Sequence, residues 1–352
     1  MLDSLYLEAA KKRGSIKEIL PEINDNGSIS EMWENIPISP SSNKISIGAG
    51  DGSFNKKKFL AFTFYAVGCE SLVFDDEFVK IDDSILDTIE HHHNIDDLLR
   101  LYMGVLETKN AIKTIEGFNI DYYLFDGSLL GDLIRPFPSG INISKSMRNE
   151  ILDMALEELK ENIRFFNFKL QAPRIIEKYY NIHRDKTNYI MFLTSIEQLL
   201  LLKQLLKYKK KIIAVSKTST NRDLFRSNIP DISIFDKYTN GKSGISKIIY
   251  KKVANEVKYN FLVENEFFKD LIFTIFYLRL DDNKNVLKVE LPYRASRDEV
   301  LEIVKNIKKY STDGYPYLLK KAHNDVVITN RDMDSLAAMV NLREKIGREM
   351  LR

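Results

Sequence analysis

Residues 44–62 read KISIGAGDGSFNKKKFLAF, and residues 121–133 read DYYLFDGSLLGDL. Both stretches place the tripeptide Asp-Gly-Ser directly after a run of small or apolar residues, once at Asp51 and again at Asp126. Asp-Gly is a common turn signal, so a single copy predicts only a hairpin corner. Two copies, each at the end of a predicted strand, favour neighbouring strands with both carboxylates at one edge of a sheet.

The residues around the first tripeptide predict three consecutive strands. Residues 44–50 alternate small and apolar side chains, residues 57–70 are rich in aromatic and β-branched ones, and residues 71–81 follow after a short break. Short connections favour an antiparallel meander. Apolar residues at helical spacing then predict a long helix over residues 94–118, with Gly117 as its C-terminal stop.

The rest of the chain predicts an α/β fold with a mixed central β-sheet flanked by helices. Residues 121–125 form the next predicted strand, which follows a helix and is therefore able to run parallel to its neighbour. Helices are predicted over about 144–168 and 194–211, the second beginning with Ser195 and Gln198 at capping-box spacing. Residues 211–219 predict a fifth strand, residues 270–293 a hairpin, and the C-terminal fifty-odd residues a helical segment.

Composition and charge bound the class of protein. The chain has 352 residues, of which 44% are hydrophobic, enough for one large domain or two ordinary ones. Its 52 Lys and Arg against 50 Asp and Glu give a net charge of +2, which does not by itself indicate a polyanionic partner. Cys69 is the single cysteine, so we expect a reducing, cytoplasmic environment. The longest apolar stretch, residues 196–210, is too short to span a bilayer, so we expect no membrane association.

Residues 1–42 predict an N-terminal helical arm. Its first twenty residues read as an amphipathic helix, and proline and serine residues near its end mark a connection to the first core strand. The main domain is expected over residues 43–352, with an irregular insertion at about 226–270.

Glu107 lies on the predicted helix between the two tripeptides. Its neighbours three and four residues away are not cations; they are Met103, Gly104, Asn110 and Ala111. A solvated glutamate on the helix surface fits this pattern. So does a carboxylate that is held inward, where only a cation offsets the loss of its hydration.

Convergence of Asp51, Glu107 and Asp126 would require divalent cations, because three carboxylates at one point repel each other. Oxygen ligands suit Mg²⁺ or Mn²⁺. Two such ions roughly 3.5–4 Å apart activate water and stabilise the leaving oxygen of a phosphodiester, which is nuclease chemistry.

Other polar residues allow both an ordinary and a functional interpretation. Lys217 emerges at the end of the fifth predicted strand, where it is a solvated terminus or a cation for phosphate. His323 lies on a short helix predicted to start near Pro316, a position more typical of a core or surface residue than of a ligand.

Basic clusters at 55–59, 207–211, 217–226 and 250–252 are solvated faces or, together, a groove for a phosphate backbone. Phe54, Phe225 and Tyr315 are candidate stacking surfaces for bases.

Taken together, these residues resemble the NurA family of archaeal and bacterial nucleases, whose fold is RNase H-like and related to the catalytic domain of Argonaute. The resemblance covers nearly the whole chain. It rests on the order and spacing of five features: Asp51, Glu107, Asp126, the SKT motif with Lys217, and GYPYLLKKAH with Tyr315 and His323. It implies that Asp51, Glu107, Asp126 and His323 bind catalytic Mn²⁺, with Mg²⁺ as a substitute and two ions expected, and that Tyr315 completes the site.

The resemblance also implies a biological role. Members degrade single- and double-stranded DNA from 5′ ends, cut single strands internally, form homodimers and act with the hexameric ATPase HerA in DNA end resection. We expect the arm, residues 1–42, to form part of the dimer or HerA contact. Two alternatives stay open: a non-catalytic adaptor that loads DNA while the carboxylates are structural, and a less favoured actin-like kinase, for which a Gly-rich adenosine motif is not evident.

Overall fold

The computed structural model describes residues 2–17, 26–75, 77–165, 169–180 and 186–342. Within these ranges the strands are β1 Trp33–Asn35, β2 Ile47–Lys58, β3 Thr63–Asp75, β4 Glu77–Ile89, β5 Tyr122–Asp126, β6 Ile212–Ser216, β7 Gly244–Ser246, β8 Ile249–Lys252, β9 Ile272–Arg279, β10 Leu287–Leu291, β11 Ser311–Thr312 and β12 Tyr315–Pro316. The α-helices are α1 Asp3–Lys17, α2 Asn26–Met32, α3 Ile95–Gly117, α4 Leu129–Ile134, α5 Lys145–Phe165, α6 Ala172–Tyr180, α7 Lys186–Leu205, α8 Asp231–Tyr238, α9 Val253–Glu256, α10 Asn265–Lys269, α11 Arg297–Lys309, α12 Tyr317–Val326 and α13 Asn330–Met339.

One mixed sheet organises the described part of the chain. Ten strands join it, nine in the order β1-β7-β9-β10-β6-β5-β2-β3-β4 and the tenth, β8, paired with β9. The predicted antiparallel meander is β2-β3-β4, and β5 lies parallel to β2 on the other side, with β6 parallel to β5. The predicted hairpin is β9-β10. This arrangement confirms the predicted α/β fold with a mixed central sheet.

Helices cover both faces of the sheet. A large apolar cluster joins one face to α3, α5, α6 and α7, and a second cluster joins the opposite face to α11 and α12. Strands β6 and β10 are buried along their whole length because helices lie on both sides of them. Cys69 is a buried residue of the first cluster.

The first Asp-Gly-Ser is not a turn. Residues 51–53 lie inside the twelve-residue strand β2 and pair with residues 68–70 of β3. The turn comes later, where the Phe59 N–H donates to the Phe62 carbonyl over 2.9 Å. The prediction that this strand ends near residue 50 was wrong because the ladder with β3 continues to Lys58. The second tripeptide does follow its strand, and Gly127 turns the chain with φ of +113°.

Helix α7 begins earlier than predicted. Ser195 lies in the middle of the helix, buried, and its hydroxyl donates to the Met191 carbonyl over 2.9 Å, so it is not a capping residue. With the 3-10 turn that follows, the helical segment spans 26 residues and is long and apolar enough to cross a membrane. The prediction that this apolar segment is too short to span a bilayer was therefore wrong. However, 83% of its most apolar window is buried inside the protein, as expected for a core helix.

Residues 1–42 are only partly helical. Every side chain from Leu2 to Ser15 is exposed, so α1 lies apart from the core as an arm. Residues 33–35, by contrast, form β1, which pairs antiparallel with β7. The Trp33 ring is buried and lies 5.2 Å from the Phe235 ring, and this burial explains why the helical prediction was wrong here. The predicted insertion, 226–270, contributes β7 and β8 to the same sheet. The domain boundaries themselves stay predictions.

A buried ion pair ties α3 to α7. The Lys109 ammonium donates to Glu197 over 2.7 Å, and the two side chains are 5% and 0% exposed. Glu197 also accepts the backbone N–H groups of Gln171 and Ala172, each over 3.0 Å. The pair therefore holds the helix that carries Glu107 against its neighbour.

We predict that Lys109→Met lowers the free energy of unfolding by about 3–5 kcal/mol, because Glu197 is left buried without its cation. Lys160→Met serves as the control, since Lys160 forms an exposed pair with Glu157 that is worth at most about 1 kcal/mol. Urea unfolding followed by circular dichroism measures both. Equal losses of unfolding free energy in the two variants would contradict the stabilising role of the Lys109–Glu197 pair.

Candidate metal centre

The site forms where β2 and β5 part. Their parallel pairing ends at Gly50 and Phe125, and the next residues along the two strands are Asp51 and Asp126. Strand β2 continues against β3, whereas the chain after Asp126 turns away at Gly127. The two carboxylates therefore lie side by side, as predicted, and both line a cleft of about 440 Å³. Its lining includes Asp51, Glu107, Asp126, Ser128, Asp132, Arg100 and Arg135.

Asp51, Asp126 and His323 converge at ligand distance. One ligand atom from each lies within 4.8 Å of the other two. His323 reaches the site from α12, and its Nδ1 is 2.7 Å from Asp51 Oδ2. The histidine side chain is 52% exposed against 13% for Asp51, so the imidazole lies at the solvent-facing side of the group.

The end of the α12 segment is anchored on β2 beside Asp51. The Ile328 N–H donates to the Ser53 hydroxyl over 3.1 Å, and the Asn55 side-chain amide donates to the Ile328 carbonyl over 2.9 Å. Residues 53 and 55 belong to the same strand as Asp51, and because every second residue of a strand faces the same side, all three lie on one face of the sheet. The strand that supplies the carboxylate thus also fixes the segment that supplies the imidazole.

Glu107 approaches from the opposite face through the space left by a glycine. A Cβ atom at Gly52 would lie 2.2 Å from Glu107 Oε1 and 2.7 Å from Met103 Cγ. Any side chain at position 52 would therefore displace the glutamate. Glu107 lies outside the group of three whose ligand atoms are within 4.8 Å, but it lines the same cleft as Asp51 and Asp126.

Burial and neighbouring charges raise the pKa values of Glu107 and Asp126. Burial raises the pKa of Glu107 well above its ordinary value, and the charges of Asp51, Asp132 and Asp126 add to this, while a hydrogen bond from the Gly52 backbone opposes it. Burial also raises the pKa of Asp126, with the Lys217 ammonium acting against it and the Asp51 charge in favour. A divalent cation held by these residues would oppose both shifts, because it would stabilise the ionised forms.

Lys217 and Tyr315 lie beside Asp126. The Lys217 ammonium is 3.2 Å from Asp126 Oδ2 and 4.8 Å from the centre of the Tyr315 ring. The Tyr315 hydroxyl is buried and has no hydrogen-bond partner among the residues that the structure describes. Burial raises its pKa, and the charges of Asp126 and Asp51 raise it further, so the hydroxyl stays protonated and can donate.

Of the six predicted residues, Asp51, Glu107 and Asp126 line one cleft. The other three lie beside its aspartates: His323 next to Asp51, and Lys217 next to Asp126 and the Tyr315 ring. Oxygen donors predominate among the four proposed ligands, with one imidazole, and this donor set fits Mn²⁺ or Mg²⁺. The orphaned Tyr315 hydroxyl provides a further donor for a substrate or for coordinated water.

Sequence reasoning missed two acidic residues at this site. Asp132 lies on α4, six residues after Asp126, and lines the cleft. Desolvation raises the pKa of Asp132 to about 7, the Glu290 charge adds to the shift, and the Arg135 charge opposes it. Glu290 lies in β10, far away in sequence. In the stretch DGSLLGDL, Ser128 is a good N-cap residue and so indicates a short helix that carries Asp132. The sequence of β10 contains no such signal for Glu290.

The predicted basic clusters and stacking residues are dispersed and mostly engaged. Lys56 and Lys57 pair with Asp96 and Asp334, and Lys251 pairs with Asp223 and Glu256. Phe225 packs 5.2 Å from Phe235 in a core cluster, which makes it a poor stacking surface for bases.

The chain is similar to known proteins over nearly its whole length. The model of the NurA domain matches residues 45–328. The probable DNA double-strand break repair nuclease NurA of Methanocaldococcus jannaschii is 32% identical, over 97% of this chain and 90% of that one. The crystal structure of the NurA nuclease from Sulfolobus solfataricus has a TM-score of 0.75 and 24% identity, covering 97% of both chains. A crystal structure of NurA bound to dAMP and manganese has a TM-score of 0.72 and 18% identity, covering 97% of this chain and 98% of that one. The chain belongs to the NurA family.

Proposed function

We propose that this protein is a Mn²⁺-dependent DNA nuclease in which Asp51, Glu107, Asp126 and His323 hold the metal. The observation that carries the proposal is the convergence of Asp51, Asp126 and His323 within 4.8 Å, beside a cleft that Glu107 and Asp132 also line. The Methanocaldococcus jannaschii relative is called a probable DNA double-strand break repair nuclease. A protein of the same fold was crystallised with dAMP and manganese. Both names support DNA as substrate and Mn²⁺ as cofactor.

The proposed chemistry is hydrolysis of a phosphodiester. Bound divalent ions supply a water nucleophile at neutral pH and stabilise the negative charge that develops on the phosphate. We propose two ions, because Glu107 lines the cleft apart from the three residues that share one cluster, which leaves a second position beside Asp51.

The remaining residues act on the substrate. The Lys217 ammonium, 42% exposed and beside Asp126, offsets charge on a phosphate oxygen. The Tyr315 hydroxyl, which keeps its proton, donates a hydrogen bond to the phosphate or to the attacking water. Because these groups contact the sugar–phosphate backbone and not base edges, we expect weak sequence preference.

Further parts of the proposal follow from the family resemblance. They are digestion from 5′ ends, internal cutting of single strands, a homodimer, a cytoplasmic location and cooperation with a HerA-type ATPase in DNA end resection. Helix α1 supports the contact with a second copy or with the ATPase. Its Leu5, Tyr6 and Leu7, with the preceding Leu2, are between 55% and 70% exposed, and an isolated helix of this length is marginally stable in water.

The variant Asp51→Asn distinguishes a nuclease from a non-catalytic adaptor that only loads DNA. We expect more than about 100-fold loss of cleavage of end-labelled single- and double-stranded DNA with Mn²⁺, since loss of an outer-shell metal partner alone costs up to about 100-fold. DNA binding, measured by fluorescence anisotropy, is expected to persist. Lys160→Met, on the exposed surface of α5, is the control. A wild type that leaves DNA intact with Mn²⁺ and with Mg²⁺ would reject the nuclease and favour the adaptor.

Gly52→Ala tests the proposed role of Glu107 without changing a ligand. The added methyl group displaces the Glu107 carboxylate, and a misplacement of about 1 Å costs roughly 100-fold in rate. We therefore expect a large loss of cleavage, partly recovered at high Mn²⁺. Gly68→Ala is the matched control on β3, where the nearest atom to a new Cβ is 3.8 Å away. Equal activity in the two variants would show that Glu107 is not needed where it lies.

Removal of residues 1–17 tests α1 as an interface. We expect loss of the dimer in light scattering coupled to size-exclusion chromatography, or loss of binding to a HerA-type ATPase. The deletion stops before β1, because removing residues 33–35 would take a strand from the sheet. Replacing Leu5, Tyr6 and Leu7 with serine should reproduce the effect, whereas replacing Lys11 and Lys12 with serine should not. A truncated protein that keeps both interactions excludes α1 from them.

A further inference from the structure

We propose that Glu290 is a positioning residue of the metal centre, which holds the Asp126-Gly127-Ser128 turn and thereby the place of Asp126. The inference rests on the proposed role of Asp126 as a metal ligand. It assigns a function to a buried charge that lies outside the cleft and that touches none of the proposed ligands directly.

Glu290 is tied to the turn by specific hydrogen bonds. The residue is fully buried in β10, and its Oε1 accepts the Ser128 hydroxyl over 2.6 Å. Its Oε2 accepts the Leu130 N–H over 3.1 Å. The Lys288 ammonium, on the same face of the strand, donates to Oε1 over 2.6 Å and neutralises the charge. Both oxygens are thus occupied, and two of the three donors belong to the segment that follows Asp126.

Sheet pairing places this carboxylate next to the proposed ligand. Glu290 pairs with Ala214 of β6, and Ala214 pairs with Phe125 of β5. The residue after Phe125 is Asp126. Glu290 and the end of β5 are therefore held in register across one intervening strand.

Ser128 transmits the constraint. Its hydroxyl donates to Glu290 and accepts the Gly131 N–H over 3.0 Å, which caps helix α4. On the other side of the turn, the Gly127 N–H donates to the Val215 carbonyl over 3.0 Å, and the Ser216 hydroxyl donates to the Gly127 carbonyl over 2.8 Å. Hydrogen bonds to β6 thus fix Gly127 of the turn, and the hydrogen bond to Glu290 fixes Ser128. Loss of either set would leave the backbone directly after Asp126 less constrained.

A purely structural role for Glu290 makes a different prediction. The Lys288–Glu290 pair would satisfy itself on one strand, and removing it would lower stability without a specific effect on the metal. A positioning role predicts weaker metal binding in protein that is still folded. It also predicts that Glu290 and Ser128 act as one unit, because they are joined by a hydrogen bond.

The test measures Mn²⁺ binding without DNA, by isothermal titration calorimetry, in wild type, Glu290→Gln, Ser128→Ala and the double variant. We expect each single variant to bind Mn²⁺ about 10–100-fold more weakly, as for loss of other partners that orient metal ligands. The double variant should be no weaker than the more affected single variant. Ser128→Ala leaves both buried charges in place, so it carries the test if Glu290→Gln does not fold. Asp236→Asn, which weakens the ion pair between the exposed Asp236 and the buried Arg279 away from the metal centre, is the control for stability alone.

The outcomes separate this inference from the proposed function. The positioning role alone would be overturned if Glu290→Gln and Ser128→Ala lowered the melting temperature but kept wild-type Mn²⁺ affinity, while Asp126→Asn bound Mn²⁺ more weakly. Wild-type affinity in Asp126→Asn would overturn its role as a ligand and the inference with it. Additive losses in the double variant would show that the two residues do not act through one contact.

Discussion

Repulsion between converging carboxylates is the constraint on which the rest of this structure depends. Asp51, Glu107 and Asp126 come from three different elements, and the charge of Asp51 adds to burial in raising the pKa values of Glu107 and Asp126. Such a group relaxes by moving apart unless its elements are held. The sheet and the helices packed on it supply that hold. Two apolar clusters and buried pairs such as Lys109–Glu197 hold these elements together.

The site follows from the way two parallel strands part. Strand β5 ends at Asp126, while β2 runs on against β3 for seven residues beyond Asp51. Opening the sheet at this point exposes the carboxylates without breaking the longer strand. The continuing part of β2 is then available to anchor the segment after α12, through Ser53 and Asn55. One strand therefore sets the positions of a carboxylate, an imidazole and, through Gly52, the helix glutamate.

Much of this was predictable from the sequence, and the failures have physical causes. Local patterns predicted the meander, the long helix α3, the hairpin and the neighbouring positions of Asp51 and Asp126. The helix start at Ser195 was wrong because a buried serine satisfies its hydroxyl within a helix as readily as at its end. The strand at Trp33 was missed because three residues have no measurable period, and their pairing with β7 joins segments about 210 residues apart. Asp132 and Glu290 depend on tertiary contacts in the same way. His323 was predicted as a ligand only through the family resemblance, since a single helical histidine has no pattern.

The two Asp-Gly-Ser tripeptides share their letters but not their physical reasons. Gly127 is needed for its backbone, because φ of +113° is a conformation that other residues rarely adopt. Gly52 has strand geometry that any residue accepts, and it is needed only because Glu107 occupies the space of its missing side chain. The serines differ as well: Ser53 accepts the Ile328 N–H from beyond α12, whereas Ser128 caps α4 and donates to Glu290. A repeated motif at one site thus arises from two separate demands, one on chain direction and one on the close approach of a carboxylate.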